Sequence, residues 1–177
     1  THTPGVHERD ANWSPDGKSI VYTNRDNEIR LLDVASKTST LLRQDSISAY
    51  PTPQFSPDGR WITYSQVAKN QHSVVYVYNL ATKKEYAVTD SWYDSNSPAF
   101  STDGKYLIFA SSRDFNPIYS EIEWNFAYRN MEGIYMVMLD KKTPSPFLPT
   151  DDKVEAATSD AAKSQPAATK KGKKNGK

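Results

Sequence analysis

Apolar residues stand two apart at three places in the chain, Ile20 and Tyr22, Ile62 and Tyr64, and Leu107 and Phe109. A period of two marks a β-strand, because successive side chains of an extended backbone leave on opposite faces. Farther along, Ile29-Arg30-Leu31, Val75-Tyr76-Val77 and Ile134-Tyr135-Met136 predict a second strand after each of the first set, rich in β-branched and aromatic residues. Thirteen residues beyond Ile29, Val75 and Ile134 come Leu42, Val88 and Phe147, each expected on a further strand. Trp13, Phe55 and Phe100 close a short strand ahead of each group. The pattern is thus one unit written three times, near residues 8–48, 49–92 and 93–149, each predicted to form four strands.

The punctuation repeats with the strands. Ser14-Pro15-Asp16-Gly17, Ser56-Pro57-Asp58-Gly59 and Ser101-Thr102-Asp103-Gly104 follow the three aromatics at spacings of 42 and 45 residues. Pro fixes φ near −65° at the second turn position, Asp tolerates the third, and Gly supplies the positive φ that closes a hairpin. Thr102 gives up the preorganisation of Pro without changing the turn. Four-stranded units of about 40–45 residues have the period of β-propeller blades, stacked face to face around a channel. Ile20-Val21-Tyr22 and Leu107-Ile108-Phe109 are apolar on both faces, which suits sheets held between two neighbours. The fold class is therefore all-β, a partial β-propeller of three four-stranded blades over residues 1–149. Closed rings use roughly four to eight blades, so apolar faces of the Ile20 and Leu107 strands are expected to lie open at the two ends.

The third unit departs from the other two. From motif Ser to second apolar strand is 19 residues in unit two (Ser56 to Val75) and 33 in unit three (Ser101 to Ile134), an insertion of 14. The extra segment carries Phe115, Tyr119, Trp124, Phe126 and Tyr128, and Ser120 with Glu123 has capping-box spacing, which predicts a short helix. A loop of this size caps the core or lines a binding surface. Phe115, Tyr119, Glu123, Trp124 and Tyr128 are accordingly the candidate residues for contact with a peptide or another domain. In Thr143-Pro144-Ser145-Pro146-Phe147 two prolines cannot donate to a ladder, which places that last strand at an edge.

Composition narrows the chemistry. There is no Cys, so thiol nucleophiles and cysteine-ligated zinc are excluded. No apolar run approaches the roughly 18 residues of a bilayer span. Residues 163–177 hold six Lys and no acid, so with a net charge of +1 the first 162 residues carry −5. From Thr150 the chain loses its aromatics and is mostly Ala, Ser, Thr, Asp and Lys; residues 150–177 read as a disordered linker or tail, too poor in apolar surface to offset ordering. Its lysines lack the interleaved aromatics of a nucleic-acid groove. His7-Glu8-Arg9-Asp10 lacks metal-ligand spacing and a second nearby His, while His2 and His72 are isolated loop positions. Asp16, Asp58 and Asp103 lack the further oxygen ligands of a calcium loop. A nucleophile used once per blade is implausible for Ser14, Ser56 and Ser101, and no Gly-x-Ser-x-Gly elbow occurs. On a helix Glu121 and Glu123 would face different directions. No catalytic, cofactor or metal residue is assigned.

Trp13–Lys18 and Phe55–Arg60 resemble the WD-like blades shared by TolB, prolyl-oligopeptidase relatives and tricorn-type peptidases. Gly5-Val6-His7-Glu8-Arg9, Ser112-Arg113-Asp114-Phe115-Asn116-Pro117, Glu123-Trp124-Asn125 and Thr143–Phe147 resemble more narrowly the propeller region of bacterial tricorn-like serine peptidases. That resemblance covers about residues 1–149. It implies a segment of a large multidomain peptidase serving substrate access or assembly, with peptide substrates, sister domains and further copies of the chain as partners and a cytoplasmic location. The family's catalytic Ser, His and Glu lie in domains without a counterpart here, so the segment itself is expected to lack peptidase activity. A TolB-like protein-binding propeller, with a periplasmic location, is the alternative.

Overall fold

The computed structural model describes residues 7–45, 51–114, 117–119, 126–128 and 130–149. The chain divides into two compact units, Thr1–Ser145 and Pro146–Lys177, and every strand among the described residues lies in the first. Sheet one is an antiparallel meander of β1 (Glu8–Trp13), β2 (Ser19–Asn24), β3 (Glu28–Asp33) and β4 (Ser39–Gln44). Sheet two repeats it with β5 (Gln54–Phe55), β6 (Trp61–Val67), β7 (Ser73–Asn79) and β8 (Lys84–Ala87). In unit three β9 (Ser95–Phe100) and β10 (Tyr106–Ser111) are followed by a two-stranded ribbon, β11 (Pro117–Tyr119) against β12 (Phe126–Tyr128). The sheet then resumes with β13 (Gly133–Met138), in the order β13-β10-β9. The architecture is that of propeller blades, and the three predicted aromatics each end a first strand.

Each Asp-Gly turn is locked by the same side chains. The hydroxyls of Ser14, Ser56 and Ser101 donate to Oδ1 of Asp16, Asp58 and Asp103 at 2.7, 2.6 and 2.6 Å. They accept the amides of Ser19, Trp61 and Tyr106 at 2.9, 3.0 and 2.9 Å. The same carboxylate oxygens accept the amides of Lys18, Arg60 and Lys105. Gly59 sits at φ +69°, the left-handed region where a Cβ is disfavoured. Thr102 leaves the third turn unchanged. The Ser14 hydroxyl and the Lys18 amide hold the Asp16 carboxyl below its usual pKa, and Ser101 and Lys105 do so for Asp103. Burial opposes the Asp58 charge, but Ser56 and Arg60 outweigh it and the net shift is downward.

The core lies between the sheets. Val21 and Ile29 of sheet one pack on Ile62, Tyr64 and Tyr78 of sheet two. The other face of sheet two presents Val75 and Val77 to Leu107, Phe109, Tyr135 and Val137. Strand pairing explains the division, since Ile62 lies opposite Tyr78, Tyr64 opposite Tyr76 and Ser65 opposite Val75, so alternate residues serve the two neighbours. Sheet two is thus buried on both faces. At the first interface Arg43 of β4 crosses to Glu85 of β8, which also accepts the hydrogen bond of the buried Tyr64 hydroxyl. Arg43 lies 5.0 Å over the Tyr76 ring and 3.2 Å from Asp45.

The end faces differ from each other: the open apolar face expected on the Leu107 strand is present, and the one expected on the Ile20 strand is not. On sheet one the outward Tyr22 is buried under a polar web: its hydroxyl bonds Ser39 Oγ at 2.7 Å, which also takes Arg30 Nε at 2.9 Å. Glu28 accepts from both Arg30 and Asn24. Leu107 points inward and is fully buried; its neighbours Ile108, Ile134 and Met138 form the open apolar face, with Ile134 at 85% exposure.

Two further expectations change. Val88 falls just past β8, although its amide still bonds the Val75 carbonyl. Residues 141–143 turn instead of entering a fourth strand of unit three, and Phe147 lies in a second turn; Pro144 and Pro146 carry no N–H for a ladder. The predicted helix around Ser120 and Glu123 and the tail 150–177 lie outside the described residues.

Candidate functional site

In an antiparallel meander the Asp-Gly turns and the β3–β4 type turns share one end of the blades, and the β2–β3 type loops share the other with the connections between blades. The insertion is a β2–β3 type loop, so it rises from the second end. Its neck is closed by the Asp114 amide bonding the Met131 carbonyl at 3.1 Å. Above the neck Pro117 pairs with Tyr128 and Tyr119 with Phe126, which places the candidates Tyr119 and Tyr128 at opposite ends of one ribbon. Phe115, Glu123 and Trp124 lie outside the described residues.

At the neck the structure assembles residues that spacing alone does not connect. Ser111 and Ser95 are buried and share a hydrogen bond of 2.9 Å between β10 and β9. Ser111 Oγ also accepts Arg113 Nε at 3.1 Å. This orients the guanidinium over three rings, 4.9 Å from the Tyr135 centroid, 5.6 Å from Tyr93 and 6.0 Å from Phe109. A stacked guanidinium keeps its charge while its stem and planar faces are covered by aromatic surface.

Beside it lies a small cavity of about 230 Å³, bounded by His72, Trp92, Tyr93, Asp94, Arg113 and Met131, among others. Asp94 is anchored from both sides, accepting the Ser73 amide at 2.8 Å and lying 3.3 Å from His72 Nδ1. His72, an isolated loop residue by sequence, therefore has a fixed carboxylate partner from the next connection. Trp92 is 81% exposed. The arrangement offers one cation, one oriented carboxylate and open aromatic surface, which suits contact with a peptide. The adjacent Trp92 and Tyr93 in a polar connection were the available sequence signal, whereas the Arg113 stack was invisible because its rings come from positions 93, 109 and 135. His7 is exposed, and its carbonyl accepts the Arg25 amide. The repeated Ser and Asp are committed to their turns.

Comparison with known proteins agrees with this geometry. A family model described as the tricorn protease second beta propeller domain matches residues 3–175. The tricorn protease of Thermoplasma volcanium is 31% identical over 139 residues, covering 75% of this chain and 14% of that protein. Tricorn protease homolog 1 of Streptomyces coelicolor is 28% identical over 136 residues, covering 77% of this chain and 13% of that protein. The chain thus spans a small fraction of the relatives it matches. A crystal structure of the tricorn protease superposes with TM-score 0.73 at 23% identity, over 85% of this chain and 15% of that one. TolB from Acinetobacter baumannii shares the fold, with TM-score 0.51 at 24% identity over 69% of this chain and 32% of that one.

Proposed function

Because the chain belongs to the tricorn protease second β-propeller domain family, we propose that it supplies non-catalytic blades of a longer cytoplasmic serine peptidase, serving substrate access or assembly. The observation that carries this reading is the family match along residues 3–175, which runs the length of the blade array. Two features support it. The motif Ser and Asp side chains are held by their turns, a structural role. The loop end of the blades gathers Arg113, Trp92 and Tyr93 at the foot of the aromatic insertion, a surface matched to peptides. On this reading Phe115, Tyr119, Glu123, Trp124 and Tyr128 contact substrate peptides or a neighbouring domain of the same peptidase.

The test uses the full polypeptide encoded by the gene that contains residues 1–177. Trp92→Ala and Arg113→Ala are introduced there, and hydrolysis of fluorogenic peptides of increasing length is followed. The expected result is a lowered kcat/KM for long peptides with short-peptide hydrolysis unchanged. Equal loss at every length, or no loss, would count against a role in access. A full polypeptide without peptidase activity that captures a folded protein through this loop end would instead support a TolB-like binding module.

A further inference from the structure

Strand pairing sets one row of side chains between sheets two and three. Val77 packs against sheet three. Thr63 of β6 and Tyr86 of β8 lie directly opposite it, and residues opposite each other in an antiparallel pair share a face. Trp61, two positions before Thr63, joins that face. From sheet three comes Phe100, opposite the inward-pointing Leu107. Val75 and Leu107 are fully buried where the sheets meet, but toward the Asp-Gly turns the sheets part around a cleft of about 760 Å³. Trp61, Val77, Tyr86, Phe100 and Leu139 form its apolar wall. The volume suits a ligand, while Tyr86 and Leu139 remain 49% and 44% exposed.

The rim of the cleft carries an excess of negative charge. Three carboxylates border it, Asp58, Asp103 and Asp140, against two bases, Arg60 and Lys105. Arg60 is taken up by Asp58 at 2.6 Å and Lys105 by Asp103 at 3.7 Å. Asp140 is exposed. Its Oδ1 accepts the Lys142 amide at 2.9 Å, and it pairs with no basic side chain among the described residues. Lys141 and Lys142 are exposed and are not part of the lining. An apolar cleft with one uncompensated carboxylate at its mouth calls for a group that is both apolar and cationic.

We propose that this cleft docks an exposed segment of a partner protein in which an arginine stands beside an aromatic residue. The aromatic side chain fills the cleft against Trp61 and Tyr86, whose rings lie 6.2 Å apart at 53° and carry no described cation. The guanidinium meets Asp140 at the rim. A guanidinium lies on a ring and bonds a carboxylate at the same time, which an uncharged or anionic segment cannot do. A small free cation fits less well, because small-molecule sites bury most of their ligand and this wall is half open. A protein partner covers the remainder with its own surface. The cleft lies at the opposite end of the blades from Arg113 and Trp92, so the inference holds whether or not the parent polypeptide cleaves peptides.

The probe is the acetylated, amidated peptide Ser-Gly-Arg-Trp-Gly-Ser, titrated by calorimetry into the full 1–177 chain. Three controls replace its Arg by Gln, its Arg by Glu, and its Trp by Ala. The expected result is saturable one-to-one binding that weakens with added salt and falls about threefold or more in every control. Asp140→Asn keeps an acceptor for the Lys142 amide and removes only the charge; it should weaken binding about threefold. Tyr86→Ala should weaken it about tenfold or more. Both variants should retain the melting temperature, and if Tyr86→Ala does not, Asp140→Asn decides. Absence of binding overturns the proposal, as does equal binding of the Glu peptide or indifference to Asp140→Asn. Loss of binding in Trp92→Ala but not in Tyr86→Ala would move the peptide to the loop end of the blades and equally overturn it. Tryptamine binding as tightly as the peptide would assign the cleft to a small cation, and a dimer dissociated by the peptide would assign it to a second copy of the chain; either result overturns it.

Discussion

Replacing Glu85 by Ala tests how the first two blades are clamped. Glu85 accepts from Arg43 of the neighbouring sheet and from the Tyr64 hydroxyl, and Tyr64 is 1% exposed. Removing the carboxylate, whose side chain is about a quarter exposed, leaves that hydroxyl without its protein acceptor, a penalty of about 1–3 kcal/mol. Arg43 loses less. It keeps Asp45 at 3.2 Å and the Tyr76 face at 5.0 Å, and about a quarter of its side chain meets solvent, so its share is about 1 kcal/mol or below. The sum is a loss of about 1–4 kcal/mol for Glu85→Ala. Glu85→Gln, which keeps an acceptor for Tyr64 but removes the charge, should lose about 1 kcal/mol. Urea unfolding with tyrosine and tryptophan fluorescence reads both, and a double-mutant cycle with Arg43→Met isolates the pair. If Glu85→Ala costs under about 0.5 kcal/mol, or if Gln is no better than Ala, the cluster is not a clamp and the reasoning fails.

Burial, then the Glu85 hydrogen bond, raises the Tyr64 pKa. A tyrosine whose folded pKa exceeds its unfolded value near 10 stabilises fully below about pH 10 and progressively less above it, because the unfolded chain deprotonates first. Urea midpoints should therefore fall with rising pH above about 10 in the native chain, and Tyr64→Phe should flatten that slope. The lowered Asp58 pKa runs the other way: its contribution is present above the unfolded value of about 3.9 and lost as pH falls below it. Asp58→Asn should cost on the order of 0.5 kcal/mol at pH 6, with the gap to the native chain closing toward pH 3 in acid titrations of stability. Leu107→Ala, at a fully buried position between sheets two and three, should cost about 2–5 kcal/mol. The neighbouring Ile134→Ala, at 85% exposure, should stay within about 0.5 kcal/mol, and calorimetry would separate them.

The blades themselves were written locally. A period of two sets strands, an aromatic followed by Ser-Pro-Asp-Gly sets a turn whose bonds span no more than five residues, and repetition of both made the propeller legible. Even the substitution of Thr102 for Pro could be judged, because the Ser and Asp that lock the turn are its neighbours. What the sequence left open involves side chains that meet only when sheets stack. Arg43 and Glu85 stand 42 positions apart, the rings around Arg113 come from three separate strands and connections, and neither set carries a periodic signal.

Facing was decided the same way. Leu107 and Ile108 are equally apolar in the sequence, yet the stacking direction buries the first and opens the second. Tyr22 looked like an uncovered end residue until Arg30, Ser39 and Glu28 were brought over it. The insertion announced itself by length, while its neck, with Asp114 bonded to Met131, exists only because β10 and β13 are held as partners. Local chemistry chooses elements, since it acts within a few bonds of the backbone it bends. Which faces are wet and which charges pair follow from long-range packing, and only the folded array settles them.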